Sequence, residues 1–306
     1  MNQSNFTKPY EKTKIDYSKI YSPSKLDMFS KCPKSYHFYY LDPILSKTKN
    51  DLKKQPPNIW SFHTLGKAIH NAITLFYYLP PEQRTKDQLK ENLKLTWKSE
   101  VIWNKKMPLG EWGGFKTIEE ERETYGQAIR MLENFFQIAD IGPKPEIEYL
   151  PVKDFTRSID DYHNLITPIS ELFDISGKFD LIIKDNEGFL HIIDFKTGKK
   201  EEDNNFQLRF YKLLAESKFK KKVAKASFYF LKTGNTKRFD LEEGAEEIKD
   251  EIIGKINQIG ATKNFEARPS KLCKFCLFKT FCPEKEKVNE IIKEVKEEDY
   301  SEDLPF

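Results

Sequence analysis

Three charged residues near the middle of a 306-residue chain are spaced for hydrolytic chemistry. Asp180 lies in GKFDLII, and Asp194 and Lys196 lie in LHIIDFKTG, two short runs rich in β-branched and aromatic residues. Between them Asn186, Glu187 and Gly188 suit a three-residue hairpin loop, with Gly188 in the left-handed position. If Asp185 then pairs with Phe189, counting back sets Asp180 opposite Asp194, and Lys196 follows two residues on along the same face. Carboxylates about 5 Å apart repel each other, so this pairing is unfavourable unless a cation sits between them. Two hard oxygen donors beside an ammonium are what metal-assisted phosphodiester hydrolysis needs: ligands for a divalent ion, and a cation that orients water and balances developing charge. A D-x-K triplet alone also describes a solvated hairpin with ordinary surface charges. Here apolar residues flank Asp194 on both faces of its strand, so the acid is expected to be half-buried, where an unpaired charge is costly.

The four cysteines form the second constellation: Cys32, followed by proline, and Cys273-x2-Cys276-x5-Cys282 near the other end. Four thiols without remainder suit one tetrahedral or cluster site. No apolar leader core stands in the first twenty residues and no later run approaches the length of a membrane span, so a cytoplasmic location is expected. Disulfides are disfavoured there, which leaves zinc or iron–sulfur; spacing does not choose between them. Ligation by all four would close a chain loop of roughly 240 residues, where a cross-link has much entropy to remove.

These groups need a scaffold, and hydrophobic periodicity supplies its outline. Ser24 reads as the cap of a short aromatic helix containing Cys32. From Phe62 to about Ala139 apolar residues recur at three and four (Leu65, Ile69, Ala72, Ile73, Phe76; Ile129, Leu132, Phe135, Phe136), a helical region interrupted by a loop over 108–115. From Ile147 the period becomes that of a sheet; 205–218 returns to helix, a hairpin turns around Thr233-Gly234-Asn235, and Ile248, Ile252, Ile256 and Ile259 line a final helix. Glu148, on the strand before the carboxylate hairpin, could reach the site through water.

The formal charge of +3 is too small to name a partner, but its distribution is uneven. Nine acids against four lysines give residues 284–306 a net −5, leaving +8 on the first 283 residues. A basic body suits a nucleic-acid enzyme, and scattered solubilising lysines would look the same. The acidic end is expected to be disordered after about Glu290. Its tip, Leu304-Pro305-Phe306, resembles the acidic tip of bacterial single-stranded DNA-binding proteins, so a genome-maintenance partner is an open reading beside that of an ordinary solubilising tail.

LGKAIH, GKFDLII, IIDFKTG and QLRFY follow in that order, and with the flanking cysteines they span Ser22 to Pro283. In this the sequence resembles the RecB-like branch of the PD-(D/E)XK nucleases, which includes the iron–sulfur exonucleases linked to CRISPR adaptation and the AddB recombination nuclease. The resemblance implies an α/β, restriction-endonuclease-like core with a mixed central sheet. Residues 21–285 would form the nuclease domain, with a helical insertion over 62–140, a catalytic sheet core over 145–235, and a rim stapled by cysteines 32 and 273–282. Residues 1–20 and 286–306 would be flexible ends. It implies that His70, Asp180, Asp194 and the main-chain carbonyl of Phe195 bind Mg2+ or Mn2+, and that Lys196 acts with Asp180 and Asp194 in catalysis. Gln207 and Tyr211, one turn apart, match a Q-x-x-x-Y motif aimed at the active site and nucleic acid. Without the resemblance His70 reads as a satisfied core histidine, and Gln207 with Tyr211 as a polar helix stripe. An imidazole ligand favours manganese over magnesium. For Cys32, Cys273, Cys276 and Cys282 the resemblance implies a structural 4Fe–4S cluster. The implied reaction is hydrolysis of DNA, with single strands cut from an end, in repair, recombination or CRISPR-type defence, where a helicase is a conceivable partner. The rivals are an inactive or accessory DNA-binding module of the same fold and a zinc-stapled RNA-processing factor.

Overall fold

The computed structural model describes residues 15–53, 60–98, 101–102, 105–106, 113–138, 145–151, 165–198, 204–242 and 244–295. A short strand, β1 (Ile20–Tyr21), leads into α1 (Pro23–Lys31). Ser22, not Ser24, caps this helix: its hydroxyl accepts from the Lys25 N–H at 3.2 Å. Pro23 then occupies the first helical position, where a missing N–H costs nothing. α2 (Pro33–Tyr36) and α3 (Leu45–Lys53) follow. The region read as helical holds α4 (Ser61–Tyr78), α5 (Lys86–Lys98), a small hairpin of β2 (Val101–Ile102) and β3 (Lys105–Lys106), and α6 (Ile118–Gln137). Most of the loop expected over 108–115 lies outside the described residues.

Next come β4 (Glu146–Tyr149), β5 (Thr167–Pro168), β6 (Asp174–Ile175), β7 (Leu181–Lys184) and β8 (Leu190–Lys196). α7 (Phe206–Phe219), β9 (Val223–Phe230), β10 (Asn235–Asp240), α8 (Ala245–Ala261) and α9 (Lys285–Glu294) complete the order. The main sheet runs β10-β9-β8-β7-β4, and β1, β6 and β5 form a smaller one. β8 and β9 are parallel while the other neighbours in the main sheet are antiparallel, so the sheet is mixed, with α7 as the crossover a parallel pair requires.

β8 is buried from Leu190 to Phe195 because both faces of the sheet are covered. On one face Ile182, Leu190, Ile192 and Phe228 pack with α1, α7 and α8; Ile248, Ile252, Ile256 and Ile259 are the buried stripe of α8. On the other, Leu181, Ile183, Ile193 and Phe195 pack against Ile69, Phe76, Leu132 and Phe135 of α4 and α6. α4 and α6 therefore cover this face of the sheet. The β9–β10 hairpin turns over 231–234, with Gly234 at φ 79° and Asn235 already in the strand opposite Phe230.

Residues 285–294, expected within or beside the flexible acidic end, form α9. Val288, Ile291 and Ile292 give that segment an apolar stripe which a count of charges overlooks, and Val288 is buried. Residues 1–14 and 296–306, including Leu304, Pro305 and Phe306, lie outside the described residues. Among the described residues no helix is long and apolar enough to cross a membrane.

Candidate active site

The β7–β8 hairpin has the register that brings the two acids together. Leu181 pairs with Ile193, Ile182 with Ile192, Ile183 with His191 and Lys184 with Leu190. The loop closes through Asp185 N–H to the Phe189 carbonyl and Gly188 N–H to the Asp185 carbonyl, each at 3.0 Å, with Gly188 at φ 83°. Glycine adopts that conformation without a Cβ clash. Main-chain pairing stops at Leu181. One residue earlier the Asp180 carboxylate replaces the ladder: its Oδ2 accepts from the Phe195 N–H at 2.9 Å. Asp180 thus reaches the Asp194 segment by a side-chain bond where the strands part.

Alternation along β8 turns Asp194 and Lys196 toward α7 and Phe195 toward α4. The Lys196 Nζ lies 3.0 Å from Asp194 Oδ2 and donates to Gln207 Oε1 at 2.7 Å. The Gln207 amide nitrogen donates to Asp194 Oδ1 at 3.0 Å and, more weakly, to the Tyr211 hydroxyl at 3.4 Å. One amide at the start of α7 therefore fixes both the acid and the ammonium, and residue 211 stands one turn behind it. His70 comes from α4, in the opposite layer, and its Nδ1 lies 3.0 Å from Asp180 Oδ1. All six residues, with Phe195, line a cleft of about 550 Å3.

The acids are tuned apart. Burial, with the neighbouring Asp180 charge, pushes the Asp194 carboxyl up to about 6 against the opposing pull of Lys196. Burial would raise Asp180 as well, but His70, the Phe195 N–H and Lys196 together hold it below the usual carboxylate range. Burial and then the Asp194 charge push the Tyr211 phenol up, so it stays protonated at neutral pH. A buried and a half-buried carboxylate, the first raised partly by the second, form a donor set whose hard oxygens suit a divalent cation. As they stand, the polar atoms satisfy one another: among the described residues no three His, Cys, Asp or Glu side chains are grouped so as to hold an ion.

Glu148 is elsewhere. It pairs with Lys221 at 2.7 Å and lies 3.8 Å from Lys184, on the edge strand β4. The cleft also contains groups that sequence reasoning missed. Gly66 approaches the residue after β8 so closely that a Cβ there would lie 3.2 Å from Thr197 Oγ1, and a Cβ on Gly177 would lie 2.7 Å from Tyr211 Cε1. Glycines just ahead of His70 and Asp180 were the available signal for such close approach. Lys31, Lys67 and Lys178, with Phe62 and Phe206, also stand in the walls. Lys67 stands one turn before His70, and that spacing could have found it.

The four cysteines line one small cavity with Ser35, Phe38, Phe278 and Val288. Burial, with Cys273 and Cys32 nearby, pushes the Cys276 thiol up to about 11, and burial raises Cys282 too. The cavity thus brings together thiols from both ends of the described chain and keeps at least two of them protonated at neutral pH. Deprotonation there would need a metal to stabilise the thiolates.

Among curated proteins none matches the chain. A family match does extend from residue 20 to residue 283, taking in the first short helix, the carboxylate hairpin, the α7 crossover and the last cysteine. With that breadth of agreement, the chain belongs to the PD-(D/E)XK nuclease superfamily, hydrolytic nucleases that work with divalent metal ions.

Proposed function

We propose that the cleft hydrolyses phosphodiester bonds of single-stranded DNA from an end, using Mg2+ or Mn2+, and that the chain falls in the RecB-like iron–sulfur branch of its superfamily. The observation that carries the reading is the Asp180, Asp194, Lys196 and Gln207 constellation. Two carboxylates share a cleft with an ammonium whose position an amide fixes. His70, Asp180, Asp194 and the Phe195 carbonyl are the groups that would hold the ion. When bound, it would supply a Lewis acid for the phosphoryl oxygen and lower the pKa of water.

The chain's own groups do the rest. Lys196 presents its ammonium at the edge of the carboxylate pair, where it orients an attacking water and balances charge as it grows on the phosphate. Its side chain is only 13% exposed, so bulk water screens that charge little. Gln207 restricts the ammonium and Asp194 to one arrangement, and Tyr211, protonated, steadies the amide from behind. The single-strand and end-directed parts rest on the resemblance of the motifs. For the rim, four thiols around one cavity support a 4Fe–4S cluster joining the two ends of the domain.

The test is a manganese-dependent assay on end-labelled linear and on circular single-stranded DNA. Linear strands should shorten from an end and circles should survive. Cutting of circles would exclude an obligate exonuclease, and no cleavage of DNA with either metal would overturn the reading.

A further inference from the structure

Eight residues before His70, about 12 Å along the axis of α4, Phe62 lines the same cleft. Its ring is half-buried, unlike the buried aromatics that pack deeper on this helix. Trp60 lies nearly parallel to it, with ring centroids 6.0 Å apart and 16° between planes. Phe275 meets both edge-on, at 5.3 Å from Phe62 and 4.8 Å from Trp60. Phe275 belongs to the turn between Cys273 and Cys276, so the cysteine rim touches the cleft wall through this contact. Two exposed lysines, Lys67 and Lys178, border the same space, together with the Lys31–Asp27 ion pair.

We infer that Phe62, braced by Trp60 and Phe275, is a base-stacking platform for single-stranded nucleic acid beside the reacting phosphate. This rests on the nuclease reading of the cleft and adds to it the part of the chain that holds the single strand. An aromatic face within reach of several cations is how a protein holds an unpaired strand without reading its sequence: bases stack, phosphates meet lysines. A duplex keeps its base faces stacked within the helix and offers base edges and phosphates instead, so a stacking platform gains nothing from it. The edge-to-face contacts of Phe275 fix the plane of the platform, because such pairs have a preferred geometry. The cysteine loop is then a positioning element for the strand as well as a closure of the fold.

Binding is measured on the full chain carrying Asp194→Ala, so that no cleavage accompanies it, with an oligodeoxythymidylate and an abasic strand of equal length and charge. The thymidylate should bind about tenfold more tightly. Phe62→Leu keeps apolar volume and should remove most of that preference without changing the salt dependence. Phe275→Leu should remove a smaller part. Lys67→Gln should weaken both strands alike and lower the salt slope by about one. Equal binding of the two strands by the protein with Phe62 intact, or a preference that survives Phe62→Leu, would overturn the platform. If Phe275→Leu does not fold, Phe62→Leu decides alone. Cleavage by the protein with Asp194 intact separates the two readings. Cutting without a base preference removes the platform only; a base preference without cutting removes the nuclease reading and leaves a single-strand binding surface.

Discussion

The carboxylate hairpin and the cysteine rim gather polar groups by different means. Asp180 and Asp194 are fourteen residues apart, and a single turn with one glycine sets their approach. Their polar atoms are already engaged: Asp180 with His70 and the Phe195 N–H, Asp194 with Lys196 and Gln207. Cys32 and Cys273 are 241 residues apart, and their meeting depends on the packing of the whole domain. Burial has raised Cys276 and Cys282 there, so thiolates are unfavourable until a ligand compensates. The first region is pre-organised by short-range register and hydrogen bonds; the second is assembled by the fold and would be completed by what it binds. Damage to the hairpin should therefore remove chemistry from a folded protein, whereas damage to the rim should remove the protein.

The largest effect that tests this contrast is Asp194→Ala. Cleavage should fall by about a thousandfold or more while strand binding persists, since the change removes a proposed metal ligand and leaves the phosphate contacts. Initial rates on single-stranded DNA with manganese, beside a gel-shift titration, measure both. Undiminished cleavage would take Asp194 out of the mechanism.

On the rim, Cys32→Ser should be as damaging as Cys282→Ser, despite the distance between them in sequence. Protein purified without oxygen should be brown, with broad absorption near about 400 nm, and either variant should lose colour and soluble yield together. A colourless protein holding stoichiometric zinc would replace the cluster with a zinc staple. A fully coloured Cys32→Ser protein would show that the closure is not made through Cys32.

Two further changes probe how the hairpin site is held. Gln207→Leu should lower kcat by about a hundredfold and leave KM close to its original value, because a displacement of about 1 Å in a positioned group costs that much. A change confined to KM would make Gln207 a substrate contact instead. Gly177→Ala sets a methyl against the buried Tyr211 ring, where the neighbouring ring has no flexible end to move. It should cost about 1–3 kcal/mol, read as a lower Tm, with a smaller loss of activity than Gln207→Leu. An unchanged Tm would mean that Tyr211 can shift.

The smallest effect is expected at Glu148→Gln. Its partners Lys221 and Lys184 are partly exposed, so loss of the pair should cost less than about 1 kcal/mol and leave the cleavage rate intact. A large loss of activity would extend the site to β4 and blur the boundary between machinery and edge.

The hairpin was legible because its information is local. The alternation of GKFDLII and LHIIDFKTG, the glycine of the turn and the spacing of Asp194 from Lys196 determine which side chains share a face, whatever packs around them. The apolar periods of 62–139, 205–218 and 248–259 likewise placed the helices. What sequence reading misjudged were competitions between neighbours. Ser22 capped α1 in place of Ser24 because Pro23 favours the first helical position, and 285–294 became α9 because its stripe found a surface to bury Val288.

Only the tertiary structure decided that His70, from the layer across the sheet, meets Asp180, and that Gln207 bonds to both Asp194 and Lys196. It also decided that Gly66 and Gly177 leave room for Thr197 and Tyr211, and that Phe275 carries the cysteine loop to Phe62. Each is a meeting of side chains from separate elements. Its distance is set by how two layers close on β8, and no spacing along the chain encodes that quantity.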